Sequence, residues 1–85
     1  MQEIGIYAIY DRKGMRYDTP NFMANDLHAK RFFHIIILEK KGAIFHFKDD
    51  FEMHKIGKMD VITGQIERDY KVVIEGKQIA KENVQ

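Results

Sequence analysis

The stretch Asn25-Asp26-Leu27-His28-Ala29-Lys30-Arg31-Phe32-Phe33-His34-Ile35-Ile36-Ile37-Leu38 decides the fold. Ala29, Phe32, Phe33, Ile36 and Ile37 recur at i, i+3, i+4, i+7 and i+8. That spacing lays one apolar stripe along a helix. Asn25 or Asp26 can cap the free N–H groups of its first turn. Lys40 and Lys41 suit the negative end of the helix dipole, and Gly42 suits the position after the last turn. The run His34 to Leu38 is β-branched enough to compete as a strand. The start and stop signals both favour a helix over 26–40.

Outward from this helix, the chain reads as strands. Residues 3–10 place Ile4, Ile6, Ala8 and Tyr10 on one face and Tyr7 and Ile9 on the other. Both faces are apolar, which suits a strand covered on two sides. Asp11-Arg12-Lys13-Gly14 ends it as a turn, with Gly14 supplying the positive φ. Asp18-Thr19-Pro20-Asn21 is loop-like, with Met15, Phe22 and Met23 also in a loop, and 43–50 read as an irregular turn of helix. Phe51 to Met59 form a second strand with a bulge around Lys55 to Gly57. Asp60-Val61-Ile62-Thr63-Gly64 is a hairpin connection with Gly64 left-handed. A third strand begins at Gln65, breaks at Arg68-Asp69 and resumes through Tyr70 to Ile74. The expected order is β-α-β-β, an α+β domain over 1–76 with a small antiparallel sheet and one main helix. Residues 77–85 are expected to form a flexible tail.

Composition narrows the function classes. The 85 residues carry fourteen basic and thirteen acidic side chains, a formal charge of +1, and no cysteine. Disulfides, thiolate metal sites and Cys nucleophiles are therefore excluded. An 85-residue secreted domain would usually need covalent staples, so an intracellular setting is expected. The N-terminal stretch has no basic segment followed by a long apolar one, so no signal peptide is read there. The aliphatic run Ile35 to Leu38 is far too short to span a bilayer, and no membrane association is expected.

The ordered landmarks resemble a known family. They are Ile6-Tyr7-Ala8-Ile9-Tyr10-Asp11, Pro20-x-Phe22, Asn25-Asp26-x-x-Ala29-x-Arg31-x-Phe33, Asp50-Phe51-Glu52-Met53, Ile56-Gly57-x-Met59-Asp60 and Thr63-Gly64-x-Ile66. In order and spacing, over about residues 4 to 66, the set is similar to the small nonstructural proteins of the gokushovirus branch of Microviridae, phages with single-stranded DNA genomes. The resemblance implies a protein made in the cytoplasm of the infected bacterium and absent from the virion. It also implies a role in viral DNA replication or the switch to single-stranded genome synthesis, with DNA binding as the presumed activity.

Single-strand binders join cationic grooves to aromatic stacking platforms. Tyr10, Arg12, Lys13, Arg16 and Tyr17 cluster in the first turn, Lys30 and Arg31 lie off the apolar stripe of the helix, and Lys55 and Lys58 lie on the second strand. Arg12, Lys13, Arg16, Tyr17, Lys30, Arg31, Lys55 and Lys58 are the candidate DNA contacts. Solvated charge interleaved with acids is the alternative reading of the same residues, and for Arg31 so is an ion pair with Asp11 or Asp50. His28, His34, His46 and His54 include no pair at i, i+4, so neither a metal nor any other cofactor is expected. No phosphate-cradling glycine loop or nucleophile constellation occurs, so no enzymatic activity is expected. The competing function is a protein-interaction module that binds the viral initiator, the procapsid or a host replication factor. Apolar residues on both faces of the first strand, with Ile35 and Leu38 beyond the helix stripe, predict a homo-oligomer, most simply a dimer.

Overall fold

The computed structural model describes residues 2–39, 44 and 46–79. Five strands, β1 (Glu3–Asp11), β2 (Arg16–Tyr17), β3 (Asn21–Met23), β4 (Phe51–Asp60) and β5 (Ile66–Glu75), form one antiparallel sheet. The main helix, α1 (Asp26–Leu38), packs on it. The order across the sheet is β2-β1-β4-β5, with β3 also paired to β1. This is the expected α+β class. The short strands β2 and β3 replace the expected loop. They arise because the chain after the first turn runs back along β1, pairing Tyr17 with Tyr10 and Phe22 with Ile6.

The helix starts where the capping residues place it. Asn25 is the N-cap, with extended backbone at φ −165°, and its Oδ1 accepts the His28 N–H at 2.9 Å. Asp26 has another duty. It accepts the Tyr7 hydroxyl at 2.8 Å and pairs with Lys71, tying β1, α1 and β5 at one corner. The stripe does what its spacing predicts: Ala29, Phe33 and Ile37 are buried, with Phe32 and Ile36 packed beside them. These side chains meet Tyr7, Ile9, Met23 and Met53 from the sheet. The helix ends at Leu38, two residues before the expected end, with the Glu39 N–H closing on the Ile35 carbonyl at 3.0 Å. Lys40, Lys41 and Gly42 lie outside the described residues.

Two corrections concern local backbone, at the first turn and on the last strand. In the first turn the left-handed residue is Met15, at φ 57°, and not Gly14. Asp11 dictates this: its carboxylate accepts the Lys13 and Gly14 N–H groups and its carbonyl accepts that of Met15. The bulge on β4 falls within the expected Lys55 to Gly57, at Ile56, which has no partner on β1, since Ile6 pairs with Gly57 and Tyr7 with Lys55. At Arg68-Asp69 the third long strand does not break; β5 continues while its register against β4 slips between Arg68 and Lys71. The Gly64 turn matches expectation, with φ 81° and the Asp60 carboxylate capping the Ile62 and Thr63 N–H groups.

Packing also extends past residue 76. Gly76–Gln78 form a 3-10 turn closed by a reciprocal Glu75–Gln78 cap, and Ile79 is buried in the core. A Cβ on Gly76 would lie 1.8 Å from the Lys48 carbonyl oxygen, so only glycine lets this turn seat against the 3-10 turn Lys48–Asp50. Residues 80–85 of the expected tail lie outside the described residues.

Candidate functional site: the uncovered face of the sheet

Because the helix covers one side, alternation along β1 sends Tyr7 and Ile9 into the core and Ile6, Ala8 and Tyr10 to the opposite face. The cross-strand partners follow them. Tyr17 sits beside Tyr10, Phe22 beside Ile6, His54 beside Ala8, and Val72 beside His54. This open face carries an aromatic cluster. The Tyr10 and His54 rings stack at 5.1 Å, Tyr17 leans on both at 4.8 and 5.5 Å, and Tyr70 meets His54 edge-on at 5.2 Å. Arg68 extends the cluster, its guanidinium carbon 5.2 Å from the centre of the Tyr70 ring, a cation–π distance.

His54 organises this surface. It is 3% exposed, and both ring nitrogens are engaged, Nδ1 with the Tyr17 hydroxyl at 2.9 Å and Nε2 with Glu52 Oε1 at 2.6 Å. A carboxylate only accepts, so Nε2 carries the hydrogen and, in the neutral ring, Nδ1 accepts from the Tyr17 O–H. Glu52 in turn faces Arg12 Nε at 3.8 Å, and Arg12 Nη1 donates to the Asp49 carbonyl at 3.1 Å. Burial pushes the Tyr17 hydroxyl above its ordinary pKa, reinforced by Tyr70 and opposed by Arg68. The protonated phenol is the donor that this hydrogen bond to the imidazole needs. The chain Arg12–Glu52–His54–Tyr17 fixes how these rings lie against one another.

The structure brings some of the expected contacts together and separates others. Arg12 and Tyr17 belong to the cluster. Lys13 and Arg16 are exposed in the adjoining turn. Lys55 and Lys58 lie on the covered side, opposite Tyr7 and Gly5, Lys55 by alternation from Met53 and Lys58 because the bulge residue between them shifts the count by one. Lys55 is paired there with Asp69 at 2.8 Å and Lys58 with Glu3 at 3.7 Å. Lys30 and Arg31 project from the helix, on the far side of the molecule from the tyrosines. Among the described residues no ion pair joins Arg31 to Asp11 or Asp50. His54, Arg68 and Tyr70 complete the cluster but are absent from the sequence-based set. Finding them requires the β4–β5 register, which two slips displace from simple hairpin counting.

Among the described residues no group of three or more His, Asp or Glu side chains could hold a metal ion, and no helix is long and apolar enough to cross a membrane. The family model described as Phage ORF5 protein matches residues 4–79. The chain belongs to this family. It is thus a small phage protein, and the match runs through β5, beyond the Ile66 limit of the landmark resemblance. No curated protein and no solved structure matches significantly.

Proposed function

We propose that the protein binds single-stranded DNA on the open face of its sheet, as a non-enzymatic accessory of phage genome replication in the cytoplasm of the infected bacterium. The observation that carries this reading is the Tyr10–Tyr17–His54–Tyr70 cluster. Tyr17 and Tyr70 remain 39% and 50% exposed although they pack on a buried histidine. Aromatic rings held at a surface, with arginines at the rim, are what unpaired bases stack on without sequence preference. Arg12, Lys13 and Arg16 at one end and Arg68 at the other are the cations placed to follow a backbone. Lys55 and Lys58, already paired on the covered side, drop out of the contact set, and so do Lys30 and Arg31. Membership of a phage family supports the setting. The resemblance to gokushovirus Microviridae proteins, whose genomes are single-stranded, supports the substrate.

The same reading takes the chain as a homodimer. The outer edge of β5 is the long edge available for pairing, since among the described residues β5 bonds to β4 alone while the other edge strands, β2 and β3, are two and three residues long, and an unpaired edge is a template for a second strand. Joining two copies there would make one continuous aromatic face and raise avidity for a long strand. Light scattering coupled to size exclusion tests this: two chains' mass at micromolar concentration is expected, and one chain's mass refutes it.

Fluorescence anisotropy with a labelled oligothymidine tests the DNA reading. Binding is expected to weaken as salt rises, because phosphate contacts release counterions. Replacing both Tyr17 and Tyr70 by Leu is expected to cost about tenfold or more in affinity, each stacked base being worth roughly 1–3 kcal/mol. Lys55→Ala with Lys58→Ala should leave affinity within about twofold, as expected of residues outside the contact surface. Flat anisotropy at low salt, for single and double strands alike, ends the proposal.

A further inference from the structure

The outer side of α1 is a second surface, unconnected with the aromatic cluster. Leu27, Arg31 and Ile35 stand four residues apart and form one exposed ridge, with Leu27 63% and Ile35 55% accessible. A shallow hollow flanks the ridge on each side, one reaching His28 and Phe32, the other Lys30 and His34. From Leu27 to Leu38 the helix has no acidic residue. Its one carboxylate before that, Asp26, is turned inward to Tyr7 and Lys71. Among the described residues no carboxylate pairs with Lys30 or Arg31. The surface therefore combines unneutralised cations with large apolar side chains set between them.

We infer that this face docks a short acidic peptide segment of another protein, one that carries two or three large apolar side chains among its carboxylates. Charge complementarity selects the acids, and the exposed leucine and isoleucine select the apolar residues. The ridge spans about 12 Å from Leu27 to Ile35 at 1.5 Å per helical residue, room for about two turns of a helical segment. Phosphates would engage Lys30 and Arg31 but leave the apolar ridge in water, which disfavours nucleic acid here. A second copy pairing two-fold on this face would set Arg31 and Lys30 against their own equivalents, a like-charge contact. This inference stands apart from the DNA reading and from β5 pairing.

The test uses the full chain and a fluorescein-labelled synthetic peptide of about twelve residues, Glu and Asp with three Leu or Phe at helical spacing. Saturable binding is expected. Arg31→Glu and, separately, Leu27→Ser are expected to weaken it about tenfold each, as anchors at the centre of an interface do. Both side chains are exposed, so circular dichroism should be unchanged. A peptide with Ser in place of its apolar residues should bind about tenfold more weakly. The protein with Leu at both 17 and 70 should still bind the intact peptide, which separates this site from the DNA face. No saturable binding, equal binding of the serine peptide, or indifference to both helix substitutions would each overturn the proposal. So would displacement of the peptide by a short DNA duplex in the Tyr17→Leu, Tyr70→Leu protein. Self-association that Arg31→Glu abolishes would assign the face to a second copy instead.

Discussion

The two faces of this sheet are built from the same strands yet held by different forces. On the covered face, Tyr7, Ile9 and Met53 meet Ala29, Phe33 and Ile37 in continuous apolar contact, and the Asp26–Tyr7–Lys71 junction closes the corner. On the open face, rings lean on one another around His54, joined by hydrogen bonds and one ion pair, with large areas left to solvent. The first arrangement gains by removing apolar area from water. The second leaves that gain unrealised, and a surface left so is open to a ligand. Stability is thus expected to reside on one side of the sheet and recognition on the other.

The sharpest way to break this comparison is to exchange the roles. Phe33 has no solvent exposure and sits at the centre of the helix contact. Phe33→Ala is expected to cost about 3–5 kcal/mol, through lost transfer energy and the cavity left behind. Tyr70→Ala, on the open face, is expected to cost less than about 1 kcal/mol in folding, since half of its surface is already in water. Paired urea denaturation curves check both. Equal losses would mean that the open face carries the fold as well.

Asp26 gives the next effect. Among the described residues it is the one acceptor for the Tyr7 hydroxyl, and it is the partner of Lys71. Lys71 holds its carboxyl below the ordinary range, with the Tyr7 hydroxyl helping and burial opposing. Asp26→Ala is expected to cost about 2 kcal/mol, largely the price of an unpaired hydroxyl. The pH dependence has a definite sign. A carboxyl depressed in the folded state stabilises above its unfolded value, near 3.9, and loses that contribution as pH falls through the folded value. Lys71 is raised by the same contact, so its share is present at neutral pH and lost only as pH climbs through the folded value, above about 10.4. The difference in urea midpoint between wild type and Asp26→Asn should therefore be present at about pH 6 and shrink below about pH 4. A difference that persists at about pH 2.5 would show that the charge of Asp26 is not what matters.

The covered face was the legible one. A helix stripe repeats at fixed offsets, so Ala29, Phe33 and Ile37 declare themselves from spacing alone, and Asn25 marks the start because its side chain replaces a missing backbone acceptor. Alternation in β1 likewise assigns Tyr10 and Ala8 to the side away from Tyr7. The open face was legible only in its local part. Tyr10, Arg12 and Tyr17 lie within one hairpin, whereas Tyr70 reaches His54 across a ladder with two register slips. Each slip moves every later residue by one position, and on a sheet one position is the other face. Lys55 reaches the covered side by plain alternation from Met53, whereas Lys58 joins it only because the Ile56 bulge shifts the count by one. Met15 takes the left-handed position because Asp11 closes the turn around it, a choice that the neighbouring glycine conceals.

The smallest expected effect divides the open face itself, between the ring of Tyr17 and its hydroxyl. The ring touches Tyr10 and His54, while the hydroxyl donates to His54 Nδ1. Tyr17→Phe keeps the ring and removes the donor. The cost to folding should be about 0.5–1.5 kcal/mol, one hydrogen bond to a buried acceptor. If bases stack on the ring, affinity for oligothymidine should stay within about twofold, since phenylalanine offers the same π-face. His54 would keep its Glu52 bond, so the platform beneath would not rearrange. A tenfold loss of affinity in Tyr17→Phe, with the denaturation curve nearly unmoved, would reverse the assignment. It would mean that the Tyr17 hydroxyl leaves His54 to bind the nucleic acid, and that the histidine is the acceptor it abandons and not merely the floor on which the rings rest.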